Sequence, residues 1–183
     1  LYPASEQEQL AWLTGSDHPL HGQHSVDDYL SATRDVANLR GFIFVETDRK
    51  HDLKTEDFDC PLQEVSWLAR VAEGLPREGE GHNPDHAQLV LGIVPWAPLP
   101  LGPQKLAAYV EDAKRAAGST ASKIVGFRYL IQDKPLRTCT EPKSIGSLKW
   151  LGRNRYTFDV GIDMASETKQ GKEWVAMMRA AHE

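Results

Sequence analysis

Gln88-Leu89-Val90-Leu91-Gly92-Ile93-Val94-Pro95 is the stretch on which the reading of the fold depends. It is apolar at nearly every position rather than at every second one, and Pro95 stops it. A strand with one wet face alternates apolar and polar residues. A continuous apolar run therefore predicts a strand covered on both faces, as parallel strands are. The residues just downstream agree. Pro103 sits where a helix begins, Leu106, Tyr109, Val110 and Ala113 recur at helical spacing, and Gly118 closes the run. Strand, turn and helix make one crossover unit, and the same order recurs on both sides.

Upstream, Phe42-Ile43-Phe44-Val45-Glu46 reads as a short buried strand. Pro61 opens a helix that runs to about Glu73, with Leu62, Val65, Leu68, Ala69 and Ala72 as its apolar stripe and Gly74 as its end. Before them, Ser25 is placed to cap a helix from about Val26 to Thr33, with Asp28 near its N-terminus. Downstream, Lys123 to Ile131 is a third strand, Ser144 to Gly152 a short helix, Tyr156 to Ile162 a fourth strand and Glu167 to His182 a last helix. This pattern predicts an α/β fold of four parallel strands in sequential order, joined by right-handed crossovers. A (β/α)₈ barrel takes about 250 residues and eight strands. The 183-residue chain is thus expected to form a partial (β/α)₈ TIM-barrel, a fragment of a longer protein. It is read as one domain over 1–183, with 1–24 as an N-terminal loop and 25–183 as βα units. Phe42, Phe44, Val90 and Val94 are expected on its concave face.

Composition narrows the function. The net charge is −5, which argues against nucleic acid as a partner, since phosphate contacts want clustered Lys and Arg. No apolar run reaches the roughly 18 residues that span a membrane. Cys60 and Cys139 make neither a disulfide framework nor a Cys-x-x-Cys site, so a cytoplasmic location is expected. No Gly-rich phosphate loop is present.

Three stretches resemble the amidohydrolase-related (amidohydrolase-2 type) metal-dependent hydrolases, in particular their fungal lactonase-like members. They are Leu1-Tyr2-Pro3-Ala4-Ser5, Gly22-Gln23-His24-Ser25-Val26, and Leu39-Arg40-Gly41 through Phe44-Val45-Glu46-Thr47-Asp48-Arg49. Val125-Gly126-Phe127-Arg128-Tyr129-Leu130-Ile131-Gln132 is similar to the family's fourth-strand segment, and Thr157-Phe158-Asp159 to its fifth. The resemblance implies strands two to five of a barrel, a site at the C-terminal strand ends, and hydrolysis of a lactone C–O bond by metal-activated water. It implies a divalent metal, zinc or manganese, for the full-length family member. The family's His-x-His and its later His and Asp ligands have no counterpart in this sequence, so no metal is expected on this chain alone, which is expected to be inactive. The alternative is a truncated non-catalytic remnant or interaction protein.

The strand ends and the N-terminal loop offer candidate substrate contacts. Arg128 lies in an apolar strand, where a charge needs a partner. It either clamps a substrate oxygen with its planar fork or pairs with Asp159. Gln132 stands at the exit of the same strand. Glu46 ends the first strand, where catalytic groups of barrels sit, or else is a solvated acid beside Arg49 or Lys50. Trp96 is positioned to wall a sugar-like substrate or to pack a loop. His24 is a candidate contact from the N-terminal loop. His18, His21 and His24 recur at spacing three without a completing carboxylate, and Pro84 separates His82 from His86, so neither set is read as a metal site. The expected partners are a lactone or sugar-acid lactone and, through open sheet edges, other copies of the chain.

Overall fold

The computed structural model describes residues 23–132, 134–162 and 169–182. Ser25 caps the first helix, α1 (Val26–Ala32), by a reciprocal capping box with Asp28. Four βα units come after it: β1 (Phe42–Val45) with α2 (Asp59–Glu73), β2 (Val90–Val94) with α3 (Pro103–Ala117), β3 (Gly126–Leu130) with α4 (Pro142–Arg153), and β4 (Thr157–Gly161) with α5 (Gln170–His182). The punctuation predicted from sequence holds: Pro103 opens α3, and Gly74 ends α2 at φ 67°, the left-handed backbone that glycine adopts without strain. The strands are shorter than expected, because Pro84–Leu89 and Gly118–Lys123 wind into 3-10 turns just before β2 and β3. The predicted start of the last helix at Glu167 lies outside the described residues, as do His18 and His21.

All strand pairing in this set is parallel and sequential. β1 pairs with β2 and β3 with β4. Bridges at Ile93–Ile124 and Trp96–Arg128 join the two halves. A one-residue slip separates those bridges, and another interrupts the β1–β2 register between Phe42 and Ile43. Gly126 is required where β3 meets β4, since a Cβ there would lie 2.1 Å from Thr157 Oγ1. The architecture is a mixed α/β fold with short parallel strands.

The two faces of the sheet are unequal. Phe127, Tyr129 and Ile131 point into a core shared with Leu106, Tyr109 and Val110 of α3, Leu148 and Leu151 of α4, and Met177 of α5. A second cluster joins Val90 and Ile93 to Trp67, Leu68 and Val71 of α2 and Val26 of α1. Phe42 meets Tyr29 edge-on at 5.2 Å, and Phe44 meets Trp67 at 6.1 Å. This corrects the expected face assignment. Phe42, Phe44 and Val90 lie under the helices, whereas Val94 pairs with Val45 and takes the opposite parity to Phe44. The residues left exposed are Ile43 at 58%, Leu91 at 52% and Val125 at 39%. Every position of β1 is apolar, so its sequence alone does not say which alternate set faces the helices. Among the described residues no helix is long and apolar enough to cross a membrane.

Candidate functional site

Residues just past the C-terminal ends of β1 and β2 belong to a buried polar cluster beside packed aromatic rings. The Glu46 N–H continues the ladder to the Val94 carbonyl at 3.0 Å, so its side chain follows the parity of Phe42 and Phe44 and turns toward the helices. It is 3% exposed, not the solvated strand-end acid that was the alternative. The Asp48 N–H donates to Glu46 Oε2 at 2.5 Å, from a residue held at φ 54°. Glu46 Oε1 is buried without a hydrogen-bond partner among the described residues. Burial pushes the Glu46 carboxyl up to about 8, with the Asp48 N–H opposing and the Glu64 charge adding to the rise.

Glu64, from the second turn of α2, is the companion acid. It is 5% exposed and accepts from the Thr47 hydroxyl at 2.5 Å. Burial raises it to about 7 against the Thr47 hydrogen bond and the attraction of the buried Arg49. Tyr109 of α3 is the third member of the cluster. Its hydroxyl is buried without a partner among the described residues, and burial together with the Glu64 and Glu46 charges holds its phenol well above the ordinary range. Burial thus favours the protonated form of both carboxyls and of the phenol relative to exposed groups. That is what a site needs in order to donate, accept or share a proton. Sequence reasoning missed Glu64. The available signal was its place three residues after Pro61 and four before Leu68, on the edge of the α2 apolar stripe.

Trp96 packs on Tyr109 of this cluster. It is 1% exposed and enclosed by Phe58 at 5.2 Å, Tyr109 at 5.4 Å, Tyr129 at 6.2 Å and His51 at 4.4 Å between ring centroids. The substrate-wall reading of Trp96 gives way to packing: its ring is covered, and His51 is the ring that lies over it.

Arg128 lies opposite Trp96 in the β2–β3 ladder, with its N–H bonded to the Pro95 carbonyl at 2.8 Å. It alternates with the inward-packed Phe127 and Tyr129, so it stands on the face that the helices leave uncovered. Its Nε donates to Asp159 Oδ1 at 2.5 Å across the β3–β4 pair. Both ends stay partly accessible, 25% for the Arg128 side chain and 42% for Asp159, which leaves guanidinium N–H groups for a further acceptor. Gln132 is exposed just past β3, and its main-chain carbonyl accepts from Gln170 of α5 at 2.6 Å. Cys139 is buried, and burial pushes its thiol up to about 12, which makes it a packing residue and not a nucleophile.

His24 lies elsewhere. Gln23 donates to the Gly79 carbonyl at 2.7 Å, and the Asp27 N–H to Gly81 at 3.1 Å. The Gly79–Gly81 segment connects α2 to β2, so α1 and His24 belong to the N-terminal end of the strands, opposite Glu46. His24 therefore stands apart from the strand ends that carry Glu46 and Arg128. At this same end the buried His82 faces Glu80 at 3.2 Å.

A cleft of about 960 Å³ opens on the far flank between α4, β4 and α5, lined among others by Leu151, Tyr156, Phe158, Trp174 and Met178. Asp159 links it to Arg128; Glu46, Glu64 and Trp96 do not line it. Among the described residues no three His, Cys, Asp or Glu side chains are grouped so as to hold a metal ion. The divalent metal implied by the resemblance therefore has no fit to them, and what they offer is proton handling and oxygen recognition.

The same residues belong to a sequence with a known relative. The chain is 36% identical over 171 residues to an L-rhamnono-gamma-lactonase of the yeast Scheffersomyces stipitis. That match takes in 91% of this chain and 50% of the yeast protein, so the chain spans about half the length of the curated relative it matches. No family model matches the sequence. No solved structure matches it.

Proposed function

We propose that this chain forms four βα units of a lactone hydrolase of the amidohydrolase-related type, acting on the ring C–O bond of a sugar-acid lactone. The observation that carries the reading is the 36% identity to a lactonase sustained across 91% of the chain. The sequential parallel order of β1 to β4 supports an arc of a (β/α)₈ barrel, and the exposed Ile43, Leu91 and Val125 support a concave face that further units would cover. In this reading Arg128, steadied by Asp159, holds a substrate oxygen, Gln132 flanks it, and the Glu46–Glu64 cluster sets the proton balance of the strand ends. The metal, zinc or manganese, belongs to the whole enzyme, on ligands other than the described residues.

The test is hydrolysis of sugar-acid γ- and δ-lactones by the full protein, monitored by acid release at constant pH. Saturable turnover is the expected result, and no turnover of any of these lactones overturns the reading. Arg128→Met should lower kcat/KM about 10- to 100-fold, the worth of a charge-assisted hydrogen bond of about 1.5–3 kcal/mol. The second reading, a non-catalytic interaction protein, draws on the same uncovered face and on the open edges of β1 and β4. Light scattering of the 183-residue chain separates them: self-association without turnover in the full protein favours the second.

A further inference from the structure

The loop between β1 and α2 hangs on the two buried acids. Thr47 and Asp48 are consecutive, and each bonds one of them. The Thr47 hydroxyl donates to Glu64 and the Asp48 N–H to Glu46, both at 2.5 Å. Asp48 makes its bond from φ 54°, a left-handed backbone that is unfavourable for a residue other than glycine. Beyond it the loop closes on itself. Asp52 and Asp57 exchange two main-chain hydrogen bonds of 3.0 Å, the Lys54 N–H donates to Asp52 Oδ1 at 2.7 Å, and the Asp59 N–H to Asp57 Oδ1 at 3.2 Å. A surface loop bonded within itself can move as one piece.

Its further attachments lie at the edge of the core. Leu53 packs on the core, the His51 and Phe58 rings lie against Trp96 at 4.4 and 5.2 Å, and an exposed ion pair joins Lys105 Nζ to Glu56 Oε2 at 2.7 Å. Lys50, Asp52 and residues 54–57 are exposed.

Beneath the loop, the surroundings suit two neutral carboxyls better than two carboxylates. Glu46 Oε1 and the Tyr109 hydroxyl are buried without partners among the described residues. The described charged and titratable groups within electrostatic reach of the pair are Asp48 and Arg49 of the loop, Tyr109 of α3 and Arg128 of β3, with Tyr129 of β3 near Asp48. Burial outweighs both arginines and both loop hydrogen bonds, so that Glu64 is raised to about 7 and Glu46 to about 8. Proton loss leaves two like charges where donors are too few, and water is what would stabilise them.

We propose that the Thr47–Phe58 loop is a pH-gated lid at the C-terminal end of the strands, closed while Glu46 and Glu64 are protonated and lifting to admit water when they ionise. The sign follows from linkage. A proton held more tightly in the closed state favours closure fully below the ordinary value of 4.5, and that advantage is lost as pH rises through about 7 and then about 8. Lifting unstacks His51 and Phe58 from Trp96 and releases Asp48 from its left-handed backbone. The device does not depend on which substrate the protein turns over.

Hydrogen exchange of the full protein at pH 6 and pH 9, with each amide's rate divided by its intrinsic rate at that pH, reads the lid directly. Asp48 and its loop neighbours should lose protection by at least about tenfold between the two. Adding about 1 M urea should change that loop exchange by less than about twofold, whereas Val71 inside α2, which exchanges through larger unfolding, should lose about fivefold or more. Glu46→Gln with Glu64→Gln keeps both shapes without the charge, and its loop should be equally protected at both pH values. Should the double variant fail to fold by circular dichroism, Glu46→Gln alone should lose most of the response. Unchanged loop protection in the wild type overturns the lid. So does a loop response as sensitive to urea as that of Val71, which would make it global unfolding, and so does a full response in a folded glutamine variant.

Discussion

Glu46 and Glu80 are both withdrawn from water and respond in opposite directions. Glu80 sits at the N-terminal end of the strands in a full set of donors. Arg70 Nε reaches its two oxygens at 2.9 and 3.1 Å, the Arg77 N–H reaches Oε2 at 3.0 Å, and His82 stands at 3.2 Å. Burial alone would raise it, but these hydrogen bonds, led by Arg70, outweigh burial and lower the carboxyl to about 2. Glu46, at the other end, has one N–H and an orphaned oxygen, and burial lifts it to about 8. An acid surrounded by donors is a fastener. An acid left short of them, beside a second acid, keeps its proton to higher pH.

The sharpest way to break that comparison is to titrate stability. Glu46 has a folded-state pKa above its ordinary value of 4.5, so the protonated form is favoured in the native state. Its contribution is fully present below 4.5 and is lost as pH rises through about 8. Glu46→Gln removes that linkage while keeping the shape. Urea unfolding should find the variant more stable than wild type by roughly 2–4 kcal/mol at pH 9, at about 1.4 kcal/mol per pH unit of linkage, and close to wild type at pH 5. A constant difference at every pH would mean that Glu46 is ionised in the native state.

Arg70→Met should cost roughly 2–3 kcal/mol at pH 7, somewhat under the full cost of orphaning a buried charge because the pair keeps 19% and 13% side-chain exposure. Here the sign with pH reverses. The Glu80 contribution is present above 4.5 and is lost as pH falls through about 2, so the variant and wild type should converge in strong acid. Equal stability at neutral pH would demote this cluster to a solvated surface pair. The smallest effect is expected on the uncovered face: Ile43→Thr should change the unfolding free energy by less than about 0.5 kcal/mol, as surface substitutions do. A loss of several times that size would show Ile43 covered in solution, by further chain or by a second copy.

Much of the fold was legible in particular residues. Pro103 and Gly118 bracket α3 because proline lacks a donor that a first turn would leave unused and glycine accepts a helix-ending backbone. The ion pair of Arg128 with Asp159 followed from a charge set in an apolar strand, which must find its opposite. Glu64 and His51 were illegible for different reasons. Glu64 sits between Gln63 and Val65 at the edge of the α2 apolar stripe, and only the docking of α2 on the sheet buries it. His51 belongs to no pattern, and the placing of its ring depends on a carbonyl two residues away and on a tryptophan 45 positions down the chain.

The chain's own sequence thus determined the alternation of strand and helix, their sequential parallel order, and the side chains available for chemistry. These follow from local rules: apolar period, caps, and the cost of burying a lone charge. The tertiary structure decided which face of each strand meets the helices, which end of the sheet receives α1 and His24, and which carboxyls keep their protons. Those outcomes depend on desolvation and on partners brought together from distant positions. A run such as Phe42-Ile43-Phe44-Val45, apolar on both sides, carries no preference of its own until the helices dock.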